Sequence, residues 1–318
     1  MKDGAGKFIR IAPEHLLAED RLIDFDVYTK RADRDRMVLL AAAHSNLSAL
    51  KELLLSKDYG PLFITKEAYG RFQRFLEDSL GSVITNPRVP IEKKSSLVHA
   101  CARDVLRDVF SDPRSGDNIT RAKNVTGHIV HLTLANRASI LTLLRLGAHD
   151  YYTFSHCVNV AVFAIGLWQS INPKSENGLH DFALGCILHD VGKTAIQDAI
   201  LNKPGKLNPP EFEIIKHHPG HGYALMDGQV SPISLDVILH HHEKINGHGY
   251  PHGLSGDQIS DNAKIATIAD VYDALTTNRP YAGARQPFSA LGVMKEQMVG
   301  HFEQEKFNEF ILFLGGRQ

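Results

Sequence analysis

The string ILHDVGK, residues 187–193, ends an apolar helical run on an imidazole and a carboxylate side by side, His189 and Asp190. A buried His or Asp without a partner destabilises the core around it. The chain repeats this conflict several times. His156 opens the apolar run CVNVAVFAIGLWQSI, the pair His217-His218 follows EFEIIK, the triplet His240-His241-His242 follows DVI and Leu239, and Asp270 follows IATIA. A fold that buries these runs has to bring the polar interruptions together. With one residue taken from the His217-His218 pair and two from the triplet, seven nitrogen and oxygen donors between His156 and Asp270 are enough for two metal ions, and a metal pair on a helical scaffold points to phosphoester hydrolysis.

Each position also has an ordinary reading. His156 alone reads as a hydrogen-bonded core residue. Adjacent residues on a regular helix point about 100° apart, so His189 and Asp190 converge only where the helix ends, and Gly192 is the expected stop. Asp190, with two oxygens, can bridge two ions. Pro219 in KHHPGHG is expected to limit how far the preceding helix runs, and only one of His217 and His218 can face a given side. Three consecutive His cannot share one site, but two of them can if the helix ends there. Asp273, three residues past Asp270, reads as an acceptor that orients a ligand His.

The bulk numbers exclude several classes. With 318 residues, 22% charged, 43% hydrophobic and a formal net charge of −1, the chain lacks the basic bias of a protein that binds polymeric nucleic acid or a membrane surface. Cys101, Cys157 and Cys186 are odd in number with no CxxC spacing, which argues for a reducing compartment. The N-terminal stretch has no apolar run of signal-peptide type. The apolar stretch Val158 to Trp168 is about half of the ~20 residues a spanning helix needs and reads as a buried helix. A cytoplasmic protein is expected. Of its 18 His, eight lie between positions 217 and 252; clustered imidazole without paired Cys suits borderline metals bound by nitrogen and oxygen.

Patterning divides the chain. FIRI, DFDVYTK and MVLLAAA read as strands, and PLFITKEAYGRFQRFLEDSL as a strand entering a helix capped by Thr65. Residues 1–80 are therefore expected to form a small α+β regulatory or interaction domain. SVITNPRVP, residues 82–90, reads as a break, residues 81–147 as linking helices, and residues 148–318 as a helical domain with apolar residues at helical spacing. Connections are expected at 111–118, 171–178 and 202–210. The chain as a whole is predominantly α.

Five strings, YTFSHCVNVAVFAIGL, ILHDVGK, ILNKPGKLNPPEFEIIKHHPGHGYALM, HHEKINGHGYPHGLSG and AKIATIADVYDALTTNRPY, resemble the HD-GYP family of HD phosphohydrolases in order and spacing, over roughly residues 148 to 300. The resemblance implies an all-α HD-type helical bundle. It implies a phosphodiesterase that hydrolyses cyclic di-GMP, mainly to the linear dinucleotide, with two metal ions of iron, or alternatively manganese. By position the metal ligands would be His156, His189, Asp190, His218, His241, His242 and Asp270. Asp190 and Lys193 would carry catalysis, Lys193, Arg279 and Tyr250 would contact substrate, and Gly249-Tyr250-Pro251 is the family signature.

Departures from the family pattern matter too. Members with three metals carry a Glu four residues before the first His; here that position is Tyr152, so two ions are expected. Many members follow RPY with a basic residue, whereas this chain has Ala282 and Gly283, and Asn246 replaces a common Asp. A weakened phosphate grip motivates a second reading, a cyclic-dinucleotide sensor signalling through the GYP loop. A third is a phosphohydrolase of another nucleotide. The GYP loop reads either as a tight turn whose glycines allow positive φ, or as an exposed surface for a protein partner or for substrate access.

Overall fold

The computed structural model describes residues 7–16, 22–30, 36–46, 60–147, 153–277 and 284–316. Tyr152, Arg279, Ala282 and Gly283 lie outside the described residues. Two compact units are present, Met1–Cys101 and Ala102–Gln318.

In the first unit, strands β1 (Phe8–Ile11), β2 (Val27–Lys30), β3 (Met37–Ala41) and β4 (Leu62–Thr65) form an antiparallel sheet in the order β1-β4-β2-β3. Alternation decides its faces: Val27, Leu62 and Ile64 are buried. Helix α1 (Tyr69–Thr85) buries Phe72, Phe75, Leu76 and Leu80. Phe25 meets Phe72 and Phe75 edge-to-face, each with ring centres 5.5 Å apart. Thr65 precedes a 3-10 turn, Lys66–Ala68, but its side chain makes no capping hydrogen bond. The expected break at 82–90 begins later, after Thr85. Val83 and Ile84 are buried, and the Ser79, Ser82 and Thr85 hydroxyls donate to carbonyls one turn back, so burial outweighs the low helix propensity of β-branched residues.

The helices continue as α2 (Ile91–Ser111), α3 (Gly116–Ala135), α4 (Arg137–Gly147), α5 (Thr153–Ile171), α6 (Leu179–Leu188), α7 (Asp198–Leu201), α8 (Pro209–Ile215), α9 (His218–Met226), α10 (Pro232–His240), α11 (Asp261–Thr276), α12 (Pro287–Gln297) and α13 (Gln304–Gly315). The run between 124 and 147, which reads as continuous helical spacing, is divided at Asn136. That residue is extended, and its Oδ1 accepts from the Ser139 amide at 3.0 Å to start α4. Helix α5 is the centre of the second unit and packs against α3, α4, α6, α11 and α13. It is apolar on all sides because it is covered on all sides. Its Phe154–Ile171 window, the one among the described residues with the length and composition to cross a membrane, is 78% buried within the protein.

Two glycines set the approach that matters for the site. A Cβ on Gly192 would lie 2.0 Å from the His218 carbonyl oxygen and 2.4 Å from the Gly222 nitrogen. Gly192 therefore does not stop α6, as its position suggests; α6 ends at Leu188, and Gly192 lies inside the 3-10 turn Val191–Ala195 that packs on α9. The helix before Pro219, α8, ends at Ile215, and Pro219 has a further role. It stands in the first turn of α9, where a missing N–H costs nothing, and so opens that helix.

Candidate metal centre

Five structural devices converge on one point in the second unit. Helix α5 supplies His156 from its first turn, and α6 ends just before His189. Asp190 then leaves the helical region (φ −94°, ψ 3°), so the two neighbours face the same place. The first residue of α9 is His218. Helix α10 ends at His240, with His241 as its C-cap, and this allows His241 and His242 to turn inward together. Asp270 comes from the middle of α11, whose Thr267 hydroxyl donates to the His241 carbonyl at 2.8 Å.

The donors form two groups. His156, His189 and Asp270 offer ligand atoms that all lie within 4.8 Å of one another, as do those of His218, His241 and His242. Asp190 stands between them. Its Oδ1 lies 3.4 Å from His218 Nε2, and its Oδ2 lies 3.5 Å from His189 Nε2 and 3.9 Å from His156 Nε2. Asp270 also faces both groups, with Oδ1 3.2 Å from His156 Nε2 and Oδ2 3.7 Å from His242 Nδ1. All seven residues proposed from sequence as ligands meet here. His217 is exposed, and His240 turns away, its Nδ1 2.8 Å from the accepting Asp236 Oδ1.

Outer hydrogen bonds aim these imidazoles. Nδ1 of His189, His218 and His241 each meets the carbonyl oxygen three residues earlier, of Cys186 (2.8 Å), Ile215 (2.8 Å) and Ile238 (2.9 Å). A carbonyl only accepts, so the proton is assigned to Nδ1 and the Nε2 lone pair points inward. His156 gets the same treatment from Asp273, whose Oδ2 lies 2.6 Å from Nδ1. Asp273 is itself fixed by the Asn159 amide at 2.9 Å and the Thr277 hydroxyl at 3.0 Å. Asp273 thus has the orienting position expected for it. The sequence reading missed Asn159, Thr277 and Thr267. Asn159, three residues from His156 on one helix face, had a usable signal.

This arrangement fits a cation. His189 Nε2 and Asp190 Oδ1 are buried without a hydrogen-bond partner, an expensive state for polar atoms. The Nε2 atoms of His218 and His241, both assigned lone pairs, face each other at 3.2 Å. Protonation states agree. Burial holds His189 below its usual pKa and lowers His218 to about 3 and His242 to about 4, so these imidazoles are neutral donors. Burial would raise Asp190 and Asp270, but the cationic Lys193 and the imidazoles around Asp190, and His156 and His242 around Asp270, hold both well below the carboxylate range. His156 is the exception. Burial lowers it, but Asp270 and Asp273 outweigh that and raise it to about 9.

Lys193, on the 3-10 turn, places Nζ 2.6 Å from Asp190 Oδ2 and is a quarter exposed, so its ammonium stands at the edge of the site. The Tyr250 ring lies against His242, 4.7 Å between centres, and Pro251 beside it is exposed. The loop is a turn folded on the site, with Gly247 at φ +77° while Gly249 has no positive φ.

Residues 164–305 match the HD domain family. The chain is 34% identical over 275 residues to a cyclic di-GMP phosphodiesterase of Pseudomonas aeruginosa, covering 84% of this chain and 66% of that protein. It is 36% identical over 246 residues to a 3'3'-cGAMP-specific phosphodiesterase of Vibrio cholerae, covering 74% of this chain and 52% of that protein. The chain thus spans between about half and two thirds of these relatives. An HDG"Y"P protein from Bdellovibrio bacteriovorus has the same fold, with a TM-score of 0.70 at 20% identity, over 97% of this chain and 100% of that one. The chain belongs to the HD domain family.

Proposed function

We propose that the chain is a two-metal phosphodiesterase that opens cyclic di-GMP, mainly to the linear dinucleotide. The observation that carries this reading is Asp190, a buried carboxylate whose two oxygens face two separate histidine groups. His156, His189 and Asp270 would hold one ion and His218, His241 and His242 the other, with Asp190 bridging. Bound there, a metal pair supplies Lewis acidity and lowers the pKa of water into the neutral range. Iron is the proposed metal, with manganese the alternative.

The residues around the ions divide the remaining work. Lys193, beside Asp190, offers a point charge to a phosphoryl oxygen as negative charge builds there. Burial, with Asp270 and Asp190 nearby, keeps the Tyr250 phenol protonated, so it acts as a hydrogen-bond donor to substrate and not as an anionic ligand. Arg279 is proposed to hold the second phosphate.

A second substrate is favoured by one observation, the 36% identity to an enzyme named for 3'3'-cGAMP. Full-length chain, loaded anaerobically with Fe or Mn, should be incubated with each cyclic dinucleotide and its products separated. Faster release of the linear product from cyclic di-GMP supports the first reading, and faster cleavage of 3'3'-cGAMP the second. No turnover of either with either metal contradicts both.

A further inference from the structure

Directly after the His241-His242 pair stands a carboxylate that the metal arrangement does not use. Glu243 is 1% exposed. Its Oε1 accepts the His252 backbone N–H at 2.7 Å and its Oε2 the Leu254 backbone N–H at 2.9 Å. A single buried side chain thus binds both oxygens to the backbone of the loop that follows the GYP signature. Burying a carboxylate is costly, and charge-assisted hydrogen bonds to amides are the strong kind that offsets it.

The clamp holds the loop against a metal-site residue. The Tyr250 N–H donates to the His242 carbonyl at 3.2 Å, and the Gly256 N–H to Ile245 at 3.0 Å. Gly249 lies so close that a Cβ there would be 2.5 Å from both the Glu243 Cα and the Lys244 nitrogen. In this seat the Tyr250 ring covers the His242 ring, tilted by 34°. His242 differs from His189, His218 and His241, each of which has its Nδ1 fixed by a carbonyl three residues earlier. Its own Nδ1 faces the site. Its ring meets those of His241 (4.2 Å), Tyr250 (4.7 Å) and His218 (5.1 Å), and of these Tyr250 comes from the loop.

We infer that Glu243 is a positioning residue for His242, acting through the GYP loop and the Tyr250 ring. This rests on the reading of the site as a metal centre, not on the identity of the substrate. The function of the clamp is to set the ring angle of one ligand of the His218 group while leaving the His156 group alone.

The test uses metal-stripped full chain, Co²⁺ titration followed by absorption, and amide exchange of residues 248–256. Wild type should show two Co²⁺ steps. Glu243→Gln keeps the side-chain shape but turns one acceptor into a donor. It should speed exchange of the His252 and Leu254 amides and weaken one Co²⁺ step by about 10-fold or more, the scale of a lost outer partner, with the other step within about twofold. Tyr250→Ala, which leaves the clamp intact, should weaken the same step. Should Glu243→Gln not fold, Gly249→Ala, whose methyl meets the Glu243 Cα and the Lys244 nitrogen, displaces the loop with the carboxylate still present and should give the same selective loss.

Faster exchange with both Co²⁺ steps unchanged overturns the inference, as does equal weakening of both steps with a lower Tm. Unchanged exchange also overturns it. Wild type that takes up no Co²⁺ contradicts the metal-centre reading itself, an outcome distinct from two intact steps that the variants leave unmoved.

Discussion

Asp273 places its Oδ2 atom 2.6 Å from Nδ1 of His156, which keeps a proton on Nδ1 and turns Nε2, the atom a metal would have to deprotonate, toward the site. Asp273→Asn keeps the volume but can present an NH₂ group to Nδ1. We expect it to weaken metal binding in the His156 group by about 10- to 100-fold. Chelator competition with the loaded protein checks this; unchanged affinity would mean that Asp273 serves packing alone.

Much of this site was legible because the sequence carries a physical conflict: Asp270 after IATIA and His189 after FALGCIL demand partners, and helical spacing supplies the faces on which to find them. The resemblance then chose His218 over His217 and His241-His242 over His240, where spacing left the alternatives open. What stayed hidden depends on contacts between segments far apart in sequence. Gly192 reads as a helix stop until the His218 carbonyl is seen where its Cβ would be. Glu243 gives no signal in the sequence, and its role shows only where the loop amides converge on it. Residues 82–85 read as part of a break until the burial of Val83 and Ile84 is known.

The close packing at Gly192 makes Gly192→Ala costly. An added methyl 2.0 Å from the His218 carbonyl forces the 3-10 turn away from α9. Overpacking of this kind costs about 1–3 kcal/mol. It should also separate Asp190 from His218, so the expected outcome is a lower Tm together with loss of metal. A variant of wild-type stability and metal content would show that the turn can shift freely.

The metal-free protein should have a stability maximum near pH 6.5. His156 has a raised folded pKa of about 9, so its contribution is complete below the unfolded value near 6.5 and is lost as pH rises through about 9. His218 and His242 are lowered, to about 3 and about 4; their contributions are present above 6.5 and are lost as pH falls toward those values. Asp190 and Asp270, also lowered, add to the acid arm. Metal displaces the His156 proton, so the alkaline arm should disappear on loading. Urea unfolding with and without chelator, from pH 4 to 10, measures both arms; an alkaline arm that persists in loaded protein would contradict the assignment of His156.

Lys193→Met removes the ammonium 2.6 Å from Asp190 while keeping most of the side-chain bulk. We expect kcat to fall by about 100-fold, near 2.7 kcal/mol of lost charge stabilisation, with metal content retained. A fall in metal content instead would assign Lys193 to assembly of the site.

A pair of metal ions bridged by Asp190 predicts a definite metal-to-protein stoichiometry. Full chain prepared anaerobically with excess Fe, then freed of unbound metal, should hold two ions per chain, and Asp190→Asn should hold one or none. A wild-type plateau at one or three ions, or an Asp190→Asn variant that still holds two, would contradict it.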